Sequence, residues 1–222
     1  MNTEKYLDPY RFARDLDIDK YSILVAAGGD GTYHEVINGL LAREDGRKIP
    51  IAVIPNGSGN DLCSSIGIFN LDEALNYIIK GECIKLDTIR CLFDHESEDT
   101  LPEGDERYKF MQHADMNCGM GITGKINIGA EPYKKWFGKR SYEIATILEK
   151  LKGNFVTEDY EVEIDGQRLE GLSEAKSLML IVANGKYKGG DTILNPFACL
   201  NDGLLDVSWS NEPRLNTLMG TV

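Results

Sequence analysis

The chain has 222 residues, 42% hydrophobic and 27% charged, enough to bury a core as one large domain or two small ones. Its net charge of -12 excludes diffuse attraction to nucleic acid or anionic lipid, because the summed field repels both, so any membrane contact has to be local. No apolar run approaches the roughly 18 residues of a membrane span, the start MNTEKYLDPY has no signal-peptide character, and the scattered cysteines Cys63, Cys83, Cys91, Cys118 and Cys199 fit neither a disulfide framework nor a zinc site, which together lead to the expectation of a reducing, cytoplasmic setting.

In chain order, YSILVAA (residues 21–27) is an apolar run of strand length, Gly28-Gly29-Asp30-Gly31 is a tight turn, and TYHEVINGLLA from Thr32 has helical spacing. The pattern repeats with the strand IAVIP (Ile51–Pro55), the second glycine turn NGSGN and the helix opening DLCSSIGI, which predicts a parallel sheet. Residues 70–81 read as a capped helix, with Asn70 as N-cap, Glu73 as its capping-box partner and Gly81 as the stop. KLDTIRCLF is a strand, residues 95–106 an exposed acidic loop, and a domain boundary is expected near Asp87. Residues 88–222 are then expected to be mainly β: a hairpin turning at Asp165-Gly166, the strands SLMLIVAN and GLLDVSW, and one helix over residues 142–151.

In GGDGT, the glycines Gly28, Gly29 and Gly31 are expected to take positive φ and let a ligand approach the backbone, while the following helix aims its free N–H groups at the turn, a geometry suited to phosphate. Asp30 in that turn would bind a Mg²⁺ that accompanies phosphates, or take a proton from an attacking hydroxyl. The second turn, residues 56–60, strengthens the reading, since ligands of open α/β sheets bind beside the carboxyl ends of strands. His34, one helical turn on, is expected to reach a nucleotide, whereas His95 and His113 are too dispersed for a metal site. Gly119 to Gly124 spells GxGxxG, yet no amphipathic helix is expected after it, so a dinucleotide site is rejected. Asn56-Gly57-Ser58 reads as a turn rather than a glycosylation site, and no GxSxG or HExxH occurs. The stretch Lys134-Lys135-Trp136-Phe137-Gly138-Lys139-Arg140 admits two readings, a contact with a lipid headgroup layer or a solvated helix start with a buried aromatic.

GGDGTYHEVINGL followed by IPNGSGNDLCSSIGI resembles the paired nucleotide-binding motifs of the diacylglycerol kinase catalytic domain, and HEVINGL and GSGN are also similar to the sphingosine and ceramide kinases. The resemblance continues through TEKYLDPYRFARDLDIDKY at the start, ANGKYKGG (183–190) and NPFACLNDGLLDV (195–207), nearly the whole chain. It implies an α/β fold of the NAD kinase/diacylglycerol kinase type: a nucleotide-binding domain over residues 1–87 and a β-rich second domain over 88–222, with ATP and a lipid headgroup meeting between them. Carried over by resemblance, Gly28, Gly29, Asp30, Gly31 and Thr32 would hold the ATP phosphates, and Gly57, Ser58, Gly59 and Asn60 would complete the pocket with Asp61 just behind. Asp30 would be catalytic in transferring the γ-phosphoryl group to a lipid hydroxyl. Thr3, beside Glu4 and Lys5, would add a nucleotide contact, and Lys135 and Arg140 would be phosphate-binding cations. Asp202 with the carbonyls of Cys199 and Leu204 corresponds to a bound Mg²⁺, the alternative being a plain Asn201-Asp202-Gly203 turn. Against the family pattern, an opening strand with an Asn-Pro turn and closing strands with Asp-Gly-Glu are missing, so a truncated chain is expected. GITGKIN lacks the acidic residue that sphingosine kinases carry near the position of Asn127, which favours diacylglycerol or another neutral lipid. Competing readings are an NAD kinase, which shares GGDGT but not GSGNDL with NDGLLDV, and a non-catalytic nucleotide-binding module.

Overall fold

The computed structural model describes residues 3, 5, 7–93, 104–138, 140–170, 176–190 and 192–210. The first half alternates helix and strand: α1 (Asp8–Arg14), β1 (Leu24–Gly28), α2 (Asp30–Leu41), β2 (Ile51–Pro55), α3 (Asp61–Ser65) and α4 (Leu71–Lys80). The apolar runs of β1 and β2 pair in parallel from Leu24 opposite Ile51 to Gly28 opposite Pro55, so both strands end level and both glycine turns emerge at one edge. The core under them joins Ala26 and Val53 to Tyr33, Val36, Ile37 and Leu40 of α2 and to Leu62 and Cys63 of α3, and is closed by Met116 and Leu200 from the second half. α4 starts as its caps predict: the Asn70 side chain accepts from the Glu73 N–H at 3.0 Å, the Glu73 carboxylate accepts from the Phe69 N–H at 2.6 Å, and Gly81 closes the helix at φ 69°.

The second half holds β3 (Ile89–Leu92), a 3-10 helix (Gly104–Lys109), β4 (Met111–Ala114), β5 (Asn117–Gly121), α5 (Ile122–Phe137), α6 (Arg140–Leu151), β6 (Glu163–Ile164), β7 (Gln167–Arg168), β8 (Met179–Ala183), β9 (Tyr187–Lys188), β10 (Thr192–Ile193) and β11 (Asp206–Ser210). Its largest sheet is antiparallel in the order β11-β8-β5, and β3 pairs with β4. Ile122, Ile126 and Ala130 of α5 pack with Ala145 of α6 on Leu178, Met179, Ile181 and Ala183, a second core.

Two expectations are corrected here. The GxGxxG stretch does run from a strand through a turn, at Gly121 with φ 73°, into a helix of 16 residues. Gly124, Gly129 and Pro132 dilute its helical signal, although Ile122, Ile126 and Ala130 keep the spacing of a buried face. A dinucleotide site still fails, because β5 pairs antiparallel with β8 and belongs to no βαβ unit. The stretch 134–140 ends α5 and leads into α6 at Arg140, so a helix does start there, but its aromatics are exposed rather than buried. Of the predicted acidic loop, residues 95–103 lie outside the described residues, and 104–106 open the 3-10 helix. Among the described residues no helix is long and apolar enough to cross a membrane.

Candidate active site

The two glycine turns touch backbone to backbone. A Cβ on Gly57 would lie 2.3 Å from the Gly29 Cα, and one on Gly29 would lie 2.9 Å from the Gly57 Cα. Positive φ is not how the first turn works, contrary to the sequence expectation: Gly29 is extended at φ -112° and ψ -173°, and neither Gly28 nor Gly31 is left-handed. The glycines serve close approach instead, against each other and, at Gly28, against Thr32 Oγ1, which would be 2.5 Å from a Cβ. Asn60 takes the left-handed conformation, at φ 61°, and its side chain accepts from the Gly57 N–H at 2.9 Å and donates to the Gly57 carbonyl at 3.0 Å, closing the second turn around Ser58 and Gly59. Beneath both turns the buried Tyr33 hydroxyl reaches the carbonyls of Gly28 at 2.7 Å and Ile54 at 2.8 Å, tying the two strand ends together. Gly57→Ala is therefore expected to cost about 1–3 kcal/mol in stability, read as a shift of the urea midpoint, because backbone rather than a flexible side chain has to move.

Asp30 opens α2 beside this contact. Its Oδ1 accepts from the Leu62 N–H at 3.2 Å, and its Oδ2 occupies the space left by Gly59, whose Cβ would sit 2.7 Å away. Burial, then the charge of Asp61, raises its carboxyl above the ordinary range, while the N–H groups of Leu62, Asn60 and Asp30 itself pull the other way. Asp61 is buried too and clamps the second half: Oδ2 accepts from the Gly189 N–H at 2.8 Å and Oδ1 from the Gly190 N–H at 2.6 Å. Asp115 is 5% exposed, and burial, with Asp30 and Asp61 adding, pushes its carboxyl up to about 7; its Oδ2 has no hydrogen-bond partner. Lys188 donates from Nζ to Asn117 Oδ1 at 2.8 Å, and burial pushes its ammonium down. The Cys118 thiol, held by Cys91 and facing Lys188, is lowered to about 7. The seam thus combines a base poised nearer neutrality than usual, a cation and backbone turns with room beside them: a Cβ on Gly31 would meet nothing within 4 Å.

Other predicted residues lie elsewhere. His34 turns to β4, with Nε2 2.9 Å from Gln112 Oε1 and its ring 6.1 Å edge-on from Tyr108, and burial lowers its pKa. Thr3 lines a groove with Asp8, Arg11, Phe12 and Tyr21, none of which belongs to the glycine turns. Lys135 sits about 20 Å along α5 from Ile122, and no contact joins it or Arg140 to Asp30 among the described residues. In the loop after Asn195, Asp202 Oδ1 accepts from the Leu204 N–H at 3.0 Å, Asp87 Oδ2 accepts from the Gly203 N–H at 2.8 Å, and the Cys199 thiol bonds Asn201 Oδ1 at 3.3 Å. Among the described residues no group of three or more His, Cys, Asp and Glu side chains forms a metal cluster, so a cation here would rely on Asp202 Oδ2 and main-chain carbonyls, oxygen donors suited to a hard ion. A cavity of about 1110 Å³ opens past Asn38, about 12 Å along α2 from Asp30, between Arg14, Arg43, Arg90 and Arg107, and carries none of the glycine-turn residues. Sequence reasoning passed over Tyr33, Asp115 and Lys188. Only Lys188 gave a signal, standing before the glycine pair of ANGKYKGG.

Comparison with known proteins matches residues 1–91 to the diacylglycerol kinase catalytic domain and residues 117–221 to the YegS C-terminal NAD kinase beta sandwich-like domain. The "Probable lipid kinase YegS-like" of Yersinia enterocolitica is 27% identical over 203 residues, 90% of this chain and 60% of the relative. The "Probable lipid kinase YegS" of Salmonella newport is 29% identical over 223 residues, 100% of this chain and 65% of the relative. The chain thus spans 60% and 65% of the length of these relatives. A crystal structure described as a diacylglycerol kinase from Bacillus anthracis str. Sterne is 24% identical, covering 95% of this chain and 61% of its own with a TM-score of 0.63, and a second from the same organism reaches 0.66. At that identity the likeness is one of fold.

Proposed function

Because the chain belongs to the diacylglycerol kinase catalytic domain superfamily, we propose that it is an ATP-dependent lipid kinase, moving the γ-phosphoryl group of ATP to the hydroxyl of diacylglycerol or a related neutral lipid. The observation that carries this reading is Asp30: a carboxylate raised above its usual range at the start of α2, where two glycine turns meet backbone to backbone. The phosphates would lie along Gly28 to Thr32 and Gly57 to Asn60, on the N–H groups of the turns and the positive end of α2. Asp30 would accept the proton of the lipid hydroxyl as its oxygen bonds to the γ-phosphorus and the bond to ADP breaks. Mg²⁺ would screen the phosphate charge, and Asp202 with the carbonyls of Cys199 and Leu204 supplies oxygens for a further cation. The division at residues 87 and 88 belongs to the same proposal and is supported by the second core, drawn wholly from residues beyond it, while the first core reaches across it through Met116 and Leu200.

A membrane substrate calls for a docking surface. At the end of α5, Trp136 is 78% and Phe137 51% exposed, next to Lys134, Lys135 and Arg140, and we place peripheral contact with anionic lipid there. Lys134 is already engaged, pairing with Glu131 and lying 5.4 Å over the Tyr142 ring, so among the described residues Lys135 and Arg140 are the cations turned outward. Each cation near such a surface is worth about 1 kcal/mol, and the double change Trp136→Ala, Lys135→Ala is expected to weaken binding to phosphatidylserine vesicles at least about tenfold in a sedimentation assay. Unchanged binding would move the contact elsewhere.

The function is tested with labelled ATP and a panel of diacylglycerol, sphingosine and ceramide in mixed micelles, with NAD in parallel. Label in diacylglycerol is the expected result. Label in NAD would move the chain to the NAD kinases, and a folded, ATP-binding chain that labels nothing would make it a nucleotide-binding module.

A further inference from the structure

We propose that Lys188 is a catalytic residue of the phosphoryl-transfer site, its ammonium contacting the phosphate oxygens that pass from ATP to the acceptor; this rests on the kinase reading above. Lys188 ends β9 in the second half, yet its position is set by the first. The two N–H groups that follow it, of Gly189 and Gly190, both end on the Asp61 carboxylate at 2.8 and 2.6 Å, and Asp61 directly follows the second glycine turn. Two short charge-assisted bonds to one side chain leave the segment little freedom, so the lysine is fixed relative to Gly57–Asn60.

The side chain is held just as closely. Nζ donates to Asn117 Oδ1 at 2.8 Å and lies 3.6 Å from where a Gly119 Cβ would be, so the bare glycine makes room for it. An ammonium has three protons to donate, and among the described residues Asn117 accepts the one hydrogen bond it makes, with no carboxylate at ion-pair distance. Burying a cation without an ion pair is costly, and burial pushes this ammonium down although the nearby charges of Asp61 and Cys118 pull the other way. The arrangement becomes favourable when an anion arrives.

The neighbouring charges supply the reason for one. Asp30, Asp61 and Asp115 feel one another's fields, and the whole chain carries -12, so a polyphosphate approaching Asp30 meets repulsion that a fixed cation has to offset. During transfer the γ-phosphorus exchanges its bond to the ADP oxygen for one to the lipid oxygen, and the hydroxyl proton passes to Asp30. Lys188, as an ammonium, would neutralise the oxygens between the two.

The test compares Lys188→Met and Lys188→Arg with the parent chain in lipid phosphorylation, in calorimetric titrations with a non-hydrolysable ATP analogue, ADP and adenosine, and in urea denaturation. Methionine is expected to lower kcat about 10²-fold with the lipid KM unchanged, and to weaken the two polyphosphate ligands at least about tenfold but not adenosine, while arginine restores part of both. If the parent phosphorylates lipid and the methionine variant keeps its kcat and nucleotide affinities, this assignment is wrong and the kinase reading survives. Equal weakening of adenosine together with lost stability would reduce Lys188 to a structural support and overturn it as well. A parent that binds ATP but labels no lipid sinks the kinase reading, and the polyphosphate comparison then still decides whether Lys188 meets phosphate. A parent that binds no nucleotide sinks both.

Discussion

Asp30→Asn is expected to fold and to bind nucleotide while losing about 10²–10⁴ of its kcat, the range of a general base removed from a transition state. Asparagine keeps the shape and retains an oxygen to accept from the Leu62 N–H, now 3.2 Å from Oδ1, so the turn beside Gly59 needs no rearrangement. What disappears is the negative charge that burial and Asp61 already oppose. The variant should therefore be no less stable than the parent at neutral pH, since a carboxyl raised in the folded state contributes stability at low pH that is lost as pH rises through its folded value. The same raised value places the acid limb of the parent's pH–rate profile above the position of an ordinary Asp, and that limb should be missing from the residual activity of the variant. Rate profiles and urea midpoints on the two proteins read both effects. Undiminished turnover in Asp30→Asn would remove this carboxylate from the chemistry, and loss of turnover together with loss of folding would make it structural.

The parts legible in the sequence are those whose cause is local. β1 and β2 are short apolar runs stopped by glycine, α4 is framed by Asn70, Glu73 and Gly81, and the hairpin turns at Asp165 and Gly166 with φ of 52° and 75°, the left-handed pair that a two-residue turn requires. What escaped depends on distant neighbours. Gly29 signalled left-handed backbone, yet the reason for glycine there is a contact with Gly57, nearly thirty residues away, that spacing cannot reveal. α5 was hidden by two glycines and a proline, which it tolerates because Ile122, Ile126 and Ala130 are buried against β8. His34 has the sequence position of a ligand contact, but the face it occupies on α2 is taken by β4, as Asn38 shows four residues later by bonding the His113 N–H and carbonyl at 2.7 and 2.8 Å. Lys188 comes to the seam because Asp61 holds the segment after β9 beside the second glycine turn, and Asn117 of β5, two residues after Asp115, holds the Lys188 ammonium.

Asp115→Asn is expected to stabilise the protein at pH 8 and to leave it nearly unchanged at pH 4. The carboxyl is 5% exposed, one of its oxygens lacks a partner, and it titrates near 7 in the folded chain against about 3.8 when unfolded. Below the lower value both states hold the proton and ionisation costs nothing. Between the two values the folded state keeps a proton that the unfolded state has released, so stability falls by about 1.4 kcal/mol per pH unit, and above 7 the fall levels off. Over that span the penalty is on the order of 4 kcal/mol, which for a chain of this length amounts to roughly 10 °C in Tm. An isosteric amide cannot ionise, so urea midpoints of parent and variant should coincide at pH 4 and diverge progressively to pH 8. Parallel curves over the whole range would mean that Asp115 is already ionised and compensated in the folded protein. The penalty also bears on the reaction: a neutral Asp115 adds no repulsion to an incoming polyphosphate, whereas an ionised one adds its charge to Asp30 and Asp61 against the single ammonium of Lys188. If the variant gains nucleotide affinity over the parent at pH 8 and not at pH 6, the ionisation of Asp115 is felt where the polyphosphate binds.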